Sequence, residues 1–436
     1  MSNAQAVSDP AAPSRVWSAE IRDRWFPWNN VAVALDGGFF GAAMSVVSAD
    51  SVQTTLVRSL GGPNWLVSLM PSMMMIGFMG SPILTVRWVE RLRLYERPVA
   101  LVSIAQRLPA LAASIALFLW AGARPTLALA FVALAPLVSG FVGGLTLSAF
   151  WQLVAKILPE GKRSSSLAFR NLVATVLGFL GGLLVKVVLA RWPGFRGYAV
   201  LYLLQFLLLV ASFFAFVAIR ELPSPRRDHR QERPDSHPIR RLPDVWRSTP
   251  HLRGFVAARV LGLGMLVATP FLAIHAQSVT HAPLDAVGSF VSAQMLGAVA
   301  GNLVGGPFGD RCGGRTLAVL ACALLSASML LAAVGASIPT FLVSFALIGA
   351  GNTLLMNGAN TLQLTVFHER DRPIAFAVIS TFVFPGYLAA AAVSTAIREL
   401  GWGFPPAALT AAALLLLAML QYRLLPAKEP PESDAA

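Results

Sequence analysis

Charge is what this chain has least of. Of its 436 residues only 13% are Asp, Glu, Lys or Arg, while 56% are hydrophobic and the mean hydropathy is +0.65. A water-soluble domain carries about 25% charged residues, so a soluble globular fold is excluded. Cysteine is scarce too. Cys312 falls in a predicted loop and Cys322 inside an apolar run, which offers neither a disulfide framework nor a thiolate metal site. No Gly-rich phosphate loop, His-Glu-x-x-His, Cys-x-x-Cys or nucleophile elbow occurs. Those absences argue against an enzyme; no metal and no cofactor are expected, and no connection is long enough for an ATP-hydrolysing domain. Residues 1–13 lack an apolar core, so a cleavable signal peptide is not expected.

Long apolar runs are what the chain has instead. Crossing hydrocarbon takes about 20 apolar residues. Twelve runs qualify, at about 30–57, 63–86, 98–121, 125–155, 167–190, 197–219, 252–278, 285–308, 316–336, 338–366, 373–397 and 402–422. Lipid offers no partner to a free amide or carbonyl, so these runs must be helices. The expectation is an all-α integral membrane protein with twelve transmembrane helices. Of 34 Lys and Arg residues, Arg58, Arg124, Arg191, Arg196 and Arg398 fall on one side and Arg107, Lys186 and Arg259 inside spans. The rest line the side that holds both termini, which places those termini in the cytoplasm of a plasma (inner) membrane protein. The formal net charge of +13 is then topological, and no nucleic-acid partner is expected.

Five segments follow. Residues 1–28 form a tail and an interfacial helix, with Trp17, Ile21 and Trp25 at helical spacing. Residues 29–222 hold six spans and residues 251–424 another six. The segment 223–250 is rich in Pro and Arg, which reads either as a flexible linker or as a contact for anionic headgroups. Residues 425–436 are a second cytoplasmic tail. The halves also match in position. Glu160-Gly-Lys-Arg163 follows the fourth span and Glu369-Arg-Asp-Arg372 the tenth, each after a glutamine, Gln152 or Gln363. Asp36 and Arg259 stand at corresponding levels of spans one and seven. Internal repeats of this kind mark transporter folds, with sites near the midplane.

Between the eighth and ninth runs the chain reads Gly305-Gly-Pro-Phe-Gly-Asp-Arg-Cys-Gly-Gly-Arg315. This stretch resembles the loop signature of the major facilitator superfamily, Gly-x-Leu-Ala-Asp-Arg-x-Gly-Arg-Arg. Gly306, Phe308, Gly309, Asp310, Arg311, Gly313 and Arg315 fall in register, while Gly314 replaces a cation. The corresponding stretch after span two, from Gly80 to Arg93, has Thr85 or Val86 in place of the aspartate. The resemblance implies two six-helix bundles related by a pseudo-twofold repeat, and alternating access. It also implies that Asp310 faces the start of the eleventh helix, near Arg372, with Arg311 and Arg315 holding Glu369 or lipid phosphate. A topology-fixing basic turn is the alternative to such a gate.

Charges inside spans cost about 2.5–3.5 kcal/mol each on insertion scales and need a reason. Lys186, Asp50 and His275 lie near span ends, where they can snorkel or sit at the interface. Asp36, Arg107 and Arg259 lie deeper. Pairing Asp36 with one cation leaves a second free to anchor a carboxylate or phosphate of a solute. Asp36 is also a candidate proton carrier, because burial favours the neutral form of a carboxyl; a structural ion pair is the alternative. On the tenth span Asn352, Thr353, Asn357, Asn360 and Gln363 share one face, fit for lining a cavity or for gluing helices together. By the resemblance, that helix lines the cavity with spans one, four and seven, where Gln152 and Trp151 would match it. The fifth span lacks the Gly-Pro pair of the superfamily's drug–proton antiporters.

The sequence therefore implies a monomeric secondary transporter for a small organic solute, with proton coupling open and membrane lipids as surroundings. The alternative is a transporter-like protein that handles a pigment, lipid or assembly partner. For that role the Met70, Met73, Met74, Met75 and Met79 cluster offers an adaptable apolar surface.

Overall fold

Ser18 opens the first helix. Its side chain accepts from the Ile21 amide at 3.3 Å, and Glu20 sits in the first turn, where a carboxylate suits the positive helix end. In this computed structural model, which describes residues 18–81, 84–85, 88–89, 92–159, 162–223, 250–366 and 372–426, the helix then runs unbroken over Ala19–Val46. The expected interfacial helix is thus the first turns of span one, with Pro27 inside it. Trp28 Nε1 donates to the Ala218 carbonyl at 2.7 Å. Asn29 exchanges hydrogen bonds with the Arg220 backbone at 3.1 and 2.9 Å. Both contacts bind the start of span one to the end of span six.

Span one does not continue straight to residue 57. It ends at Val46, passes through a wide turn at Ala49–Gln53 and resumes over Thr54–Ser59. The remaining spans of the first bundle are Asn64–Gly80, Glu96–Trp120, Pro125–Ile157, Arg163–Arg191 and Phe195–Val217. Span seven is interrupted as well. Pro250–Gly262 leads into a tight stretch at Leu263–Val267 and then Thr269–Thr280, with Pro270 suited to the new first turn. Spans eight and nine form one helical run, Ala286–Val334, broken only where Gly313 takes φ 79°. The expected loop is thus almost wholly helical, and the left-handed residue that turns it is a glycine, the residue type that bears this at little cost. Spans ten, eleven and twelve are Ile338–Val366, Arg372–Glu399 and Phe404–Leu424.

Among the described residues there is no strand. Ten helical segments there are long and apolar enough to cross a membrane, and Asn64–Met79 is a shorter apolar helix; Arg372–Glu399 completes the twelve. The end of the molecule holding Ala19 and Leu424 is the terminal side below, and the opposite end the far side.

The halves repeat in packing as well as in number. Within the first bundle Gly140 lies so close to the Met74 carbonyl that a β-carbon would overlap it, and within the second Gly349 meets the Gln294 carbonyl in the same way. Spans two and four therefore cross backbone to backbone, as do spans eight and ten. Small residues at such crossings let helices approach where no hydrophobic drive separates lipid from protein.

Candidate functional site

Asp36 sits in the terminal half of span one, 7% exposed. Ser212 of span six donates to its Oδ1 at 2.7 Å. The charges of two guanidiniums act on it, Arg170 from span five and Arg107 from span three. Neither makes a direct ion pair with it, since the ion pairs among the described residues lie elsewhere. Arg107 is equally buried, at 7%. Its Nε donates to the Leu209 carbonyl at 2.7 Å, its Nη1 to the Ser103 carbonyl, and its guanidinium faces the Phe213 ring at 5.1 Å. Two backbone carbonyls thus occupy Arg107, which binds span three to span six.

Arg170 was absent from the sequence expectation, where it counted among the cations of the cytoplasmic side. It lies two turns inside the Arg163–Arg191 helix. Its side chain lies flat on span one at Gly37: a β-carbon there would stand 2.5 Å from Nε and 2.8 Å from Cζ. The guanidinium also faces the Phe150 ring of span four at 5.7 Å. Arg170 Nε is buried without a hydrogen-bond partner. The signal that could have found it is Asp36-Gly37-Gly38, because two glycines beside a buried acid make room for a large neighbour.

Arg259, in span seven, is half-buried and lies beside the hydroxyls of Tyr387 and Tyr422. It has no ion pair among the described residues. On span ten Asn352 and Asn360 are exposed, while Thr353 and Asn357 are half-buried and lie next to Gly301 and Gly305 of span eight. The polar stripe therefore has two parts, one packed on span eight and one open. Trp151 and Gln152 of span four are also exposed. The side chains of Gln363, Arg372 and Asp310 and the whole of Glu369 lie outside the described residues, as does the burial of Gly306.

In the helical run around Gly313, Arg311 and Cys312 are exposed. Arg315 Nη1 donates to the Leu425 carbonyl at 3.1 Å, which links the ninth span to the end of the twelfth. Gly314 packs against the span-ten backbone at Gly358 and Leu362.

Hydrogen bonds that join the two bundles, among the described residues, lie from mid-membrane to the far side. Gln294 Nε2 donates to Asp50 Oδ2 at 3.2 Å, Asn64 Nδ2 to Glu399 Oε1 at 2.9 Å, and Ser292 Oγ to the Phe179 carbonyl at 3.5 Å. Asp50 is therefore a bundle-joining residue rather than a snorkelling one, whereas Lys186 is exposed. His275 stacks on Phe404 with ring centroids 4.3 Å apart and meets Phe341 edge-on. Of the methionine cluster, Met70 and Met73 are buried, Met74 and Met79 half-buried and Met75 exposed.

Among the described residues, twelve helical spans thus form two repeated bundles, with a carboxylate and guanidiniums held inside them. Residues 254–436 match the Major Facilitator Superfamily. Over its whole length the fold is similar to the crystal structure of the nucleoside transporter NupG, at 12% identity and TM-score 0.69, covering 91% of this chain and 99% of that one. It is also similar to a bacterial homolog of the human lysosomal transporter Spinster in an inward-facing, unoccupied conformation. There the identity is 12% and the TM-score 0.62, over 94% and 97% of the two chains. The E. coli fucose:proton symporter FucP matches at 14% identity and TM-score 0.59, over 91% and 98%. No curated protein matches by sequence. The C-terminal part of the chain thus matches the family's sequence model, and the whole chain has the fold of these transporters.

Proposed function

We propose that the protein carries a small organic solute across the membrane by alternating access, with both termini cytoplasmic and this conformation open towards them. The observation that carries the reading is the one-sided junction between bundles. Asp50–Gln294 and Asn64–Glu399 close the far side, and exposed polar side chains on spans four and ten, Gln152, Asn352 and Asn360, lie on helices that cross the membrane. Polar groups against hydrocarbon are costly, so a water-filled path between the bundles accounts for them. Likeness to a bacterial Spinster homolog crystallised inward-facing supports the same orientation.

The solute path in this reading runs past Asp36, Gln152, Arg259, Asn357 and Asn360, with Gln363 below them. Proton coupling falls to Asp36, a buried carboxyl inside span one. Around Gly313, the residues Gly306, Asp310, Arg311 and Arg315 act with Glu369 and Arg372 as the terminal-side gate.

The test of access needs no substrate. In Asn360→Cys carrying Cys312→Ser, a membrane-impermeant maleimide should label the protein from the terminal side of oriented vesicles and not from the far side. Equal labelling from both sides, or from neither, rejects the alternating-access reading in this conformation.

A further inference from the structure

Resting on the transport reading, we propose that Arg170 is the residue that grips the substrate, that the substrate carries a carboxylate or phosphate group, and that Asp36 is the nearby counter-charge to Arg170 when no substrate is bound. Arg170 sits where spans one, four and five meet, flat against Gly37 and over Phe150. It is half-buried rather than sealed off, and it makes no hydrogen bond to any described residue. Its Nε–H is withdrawn from water with nothing to receive it. A buried donor left unmatched is costly, and a guanidinium fork matches a carboxylate or a phosphate better than any other partner.

Arg107 cannot fill the role, because the Leu209 and Ser103 carbonyls already hold it. The charges also fail to balance. With Asp36 ionised, one carboxylate faces Arg107 from span three and Arg170 from span five, while Ser212 from span six supplies a neutral donor. One positive charge is left over. An organic anion on Arg170 balances that excess when Asp36 is ionised. When Asp36 takes a proton, Arg170 loses its internal counter-charge and holds the anion more tightly. Proton and anion thereby bind with positive cooperativity, a reciprocal linkage between two neighbouring groups.

The experiment is ligand binding by the purified full-length protein in detergent, at mildly acidic and mildly alkaline pH. Succinate and benzoate serve as carboxylate probes, inorganic phosphate as the phosphate probe, and uridine and glucose as neutral controls. Wild type should bind at least one anion, more tightly at acidic pH, and the preferred probe tells carboxylate from phosphate. Asp36→Asn should bind the anion at alkaline pH as tightly as wild type does at acidic pH, a gain that misfolding cannot mimic. The charge-compensated double variant Asp36→Asn/Arg170→Gln should lose anion affinity by roughly tenfold or more, and Arg170→Lys should keep part of it, since a point charge replaces the fork.

Undiminished anion binding by the double variant overturns the proposal, as does a lack of gain in Asp36→Asn. Binding of uridine or glucose with silence from every anion overturns it while leaving solute transport standing. Silence from all five probes, together with two-sided or absent labelling of the Asn360→Cys protein, overturns both.

Discussion

The Lys156 ammonium and the Glu221 carboxylate meet at 2.6 Å on the terminal side of the first bundle, with side chains only 9% and 1% exposed. Glu221 also accepts the Tyr95 and Glu96 amides at 2.9 and 2.8 Å, so it caps the third span. Lys156 donates further to the Leu222 and Arg93 carbonyls at 2.7 and 3.2 Å. One ion pair thereby joins the ends of spans four and six to the start of span three. Losing one partner strands a buried charge, at a cost of about 3–5 kcal/mol. Glu221→Ala should therefore lower thermal stability in detergent sharply, and Lys156→Met/Glu221→Gln by much less than the two single losses added. Additive losses would show that the pair is not coupled.

The crossing of spans eight and ten supplies a second prediction. Gly349→Ala places a β-carbon into the Gln294 carbonyl, whereas Gly122→Ala meets nothing within 4 Å. The first substitution should reduce the yield of folded protein and its melting temperature; the second should leave both unchanged. Size-exclusion profiles and thermal unfolding compare them directly.

The far-side junction predicts a shift in access. Gln294→Leu removes the donor to Asp50 and leaves that carboxylate without its hydrogen bond from the second bundle. The far side should then open more often, seen as a longer spin-label distance between the exposed positions 65 and 400 than in the otherwise identical protein. An unchanged distance distribution would mean that Asp50–Gln294 does not hold that side closed.

Arg315 gives a smaller effect. Its single bond to the Leu425 carbonyl is 3.1 Å long and partly buried, worth about 1 kcal/mol in stability. Arg315→Ala should lower the melting temperature slightly, and Gly313→Ala should lower it more, because φ 79° with ψ 162° is a region nearly confined to glycine that costs a side chain about 1–3 kcal/mol. The reverse order would mean that the turn at Gly313 relaxes freely.

Most of the architecture was legible in the sequence because hydropathy is a one-dimensional property. The twelve runs and the Gly305–Arg315 signature need no knowledge of what packs on what. Breaks in spans one and seven were not legible, since apolar residues continue through Ala49–Gln53 and Leu263–Val267 and composition is blind to a change of helical pitch. The buried charge cluster was half legible. Asp36 and Arg107 stand deep in their runs and draw notice, but Arg170 stands near the start of its own, where a cation reads as one more residue at the surface. Only the direction of its side chain, across Gly37 towards Asp36, puts it in the interior, and direction is a tertiary fact. Gln294 has no charge and no motif, and its role depends wholly on the opposing bundle.

Where spans five and eight touch, Gly182 faces the Ser292 backbone, and Gly288 faces that of Lys186. Main chain against main chain is a stiff bearing with few rotamers to rearrange. From Ser292 to Gly309 the helix is about 25 Å long at 1.5 Å per residue. A turn of about 10° about that bearing swings Gly309 by roughly 4 Å on that length, so a small rotation at the far side becomes a side-chain-sized displacement at the terminal one.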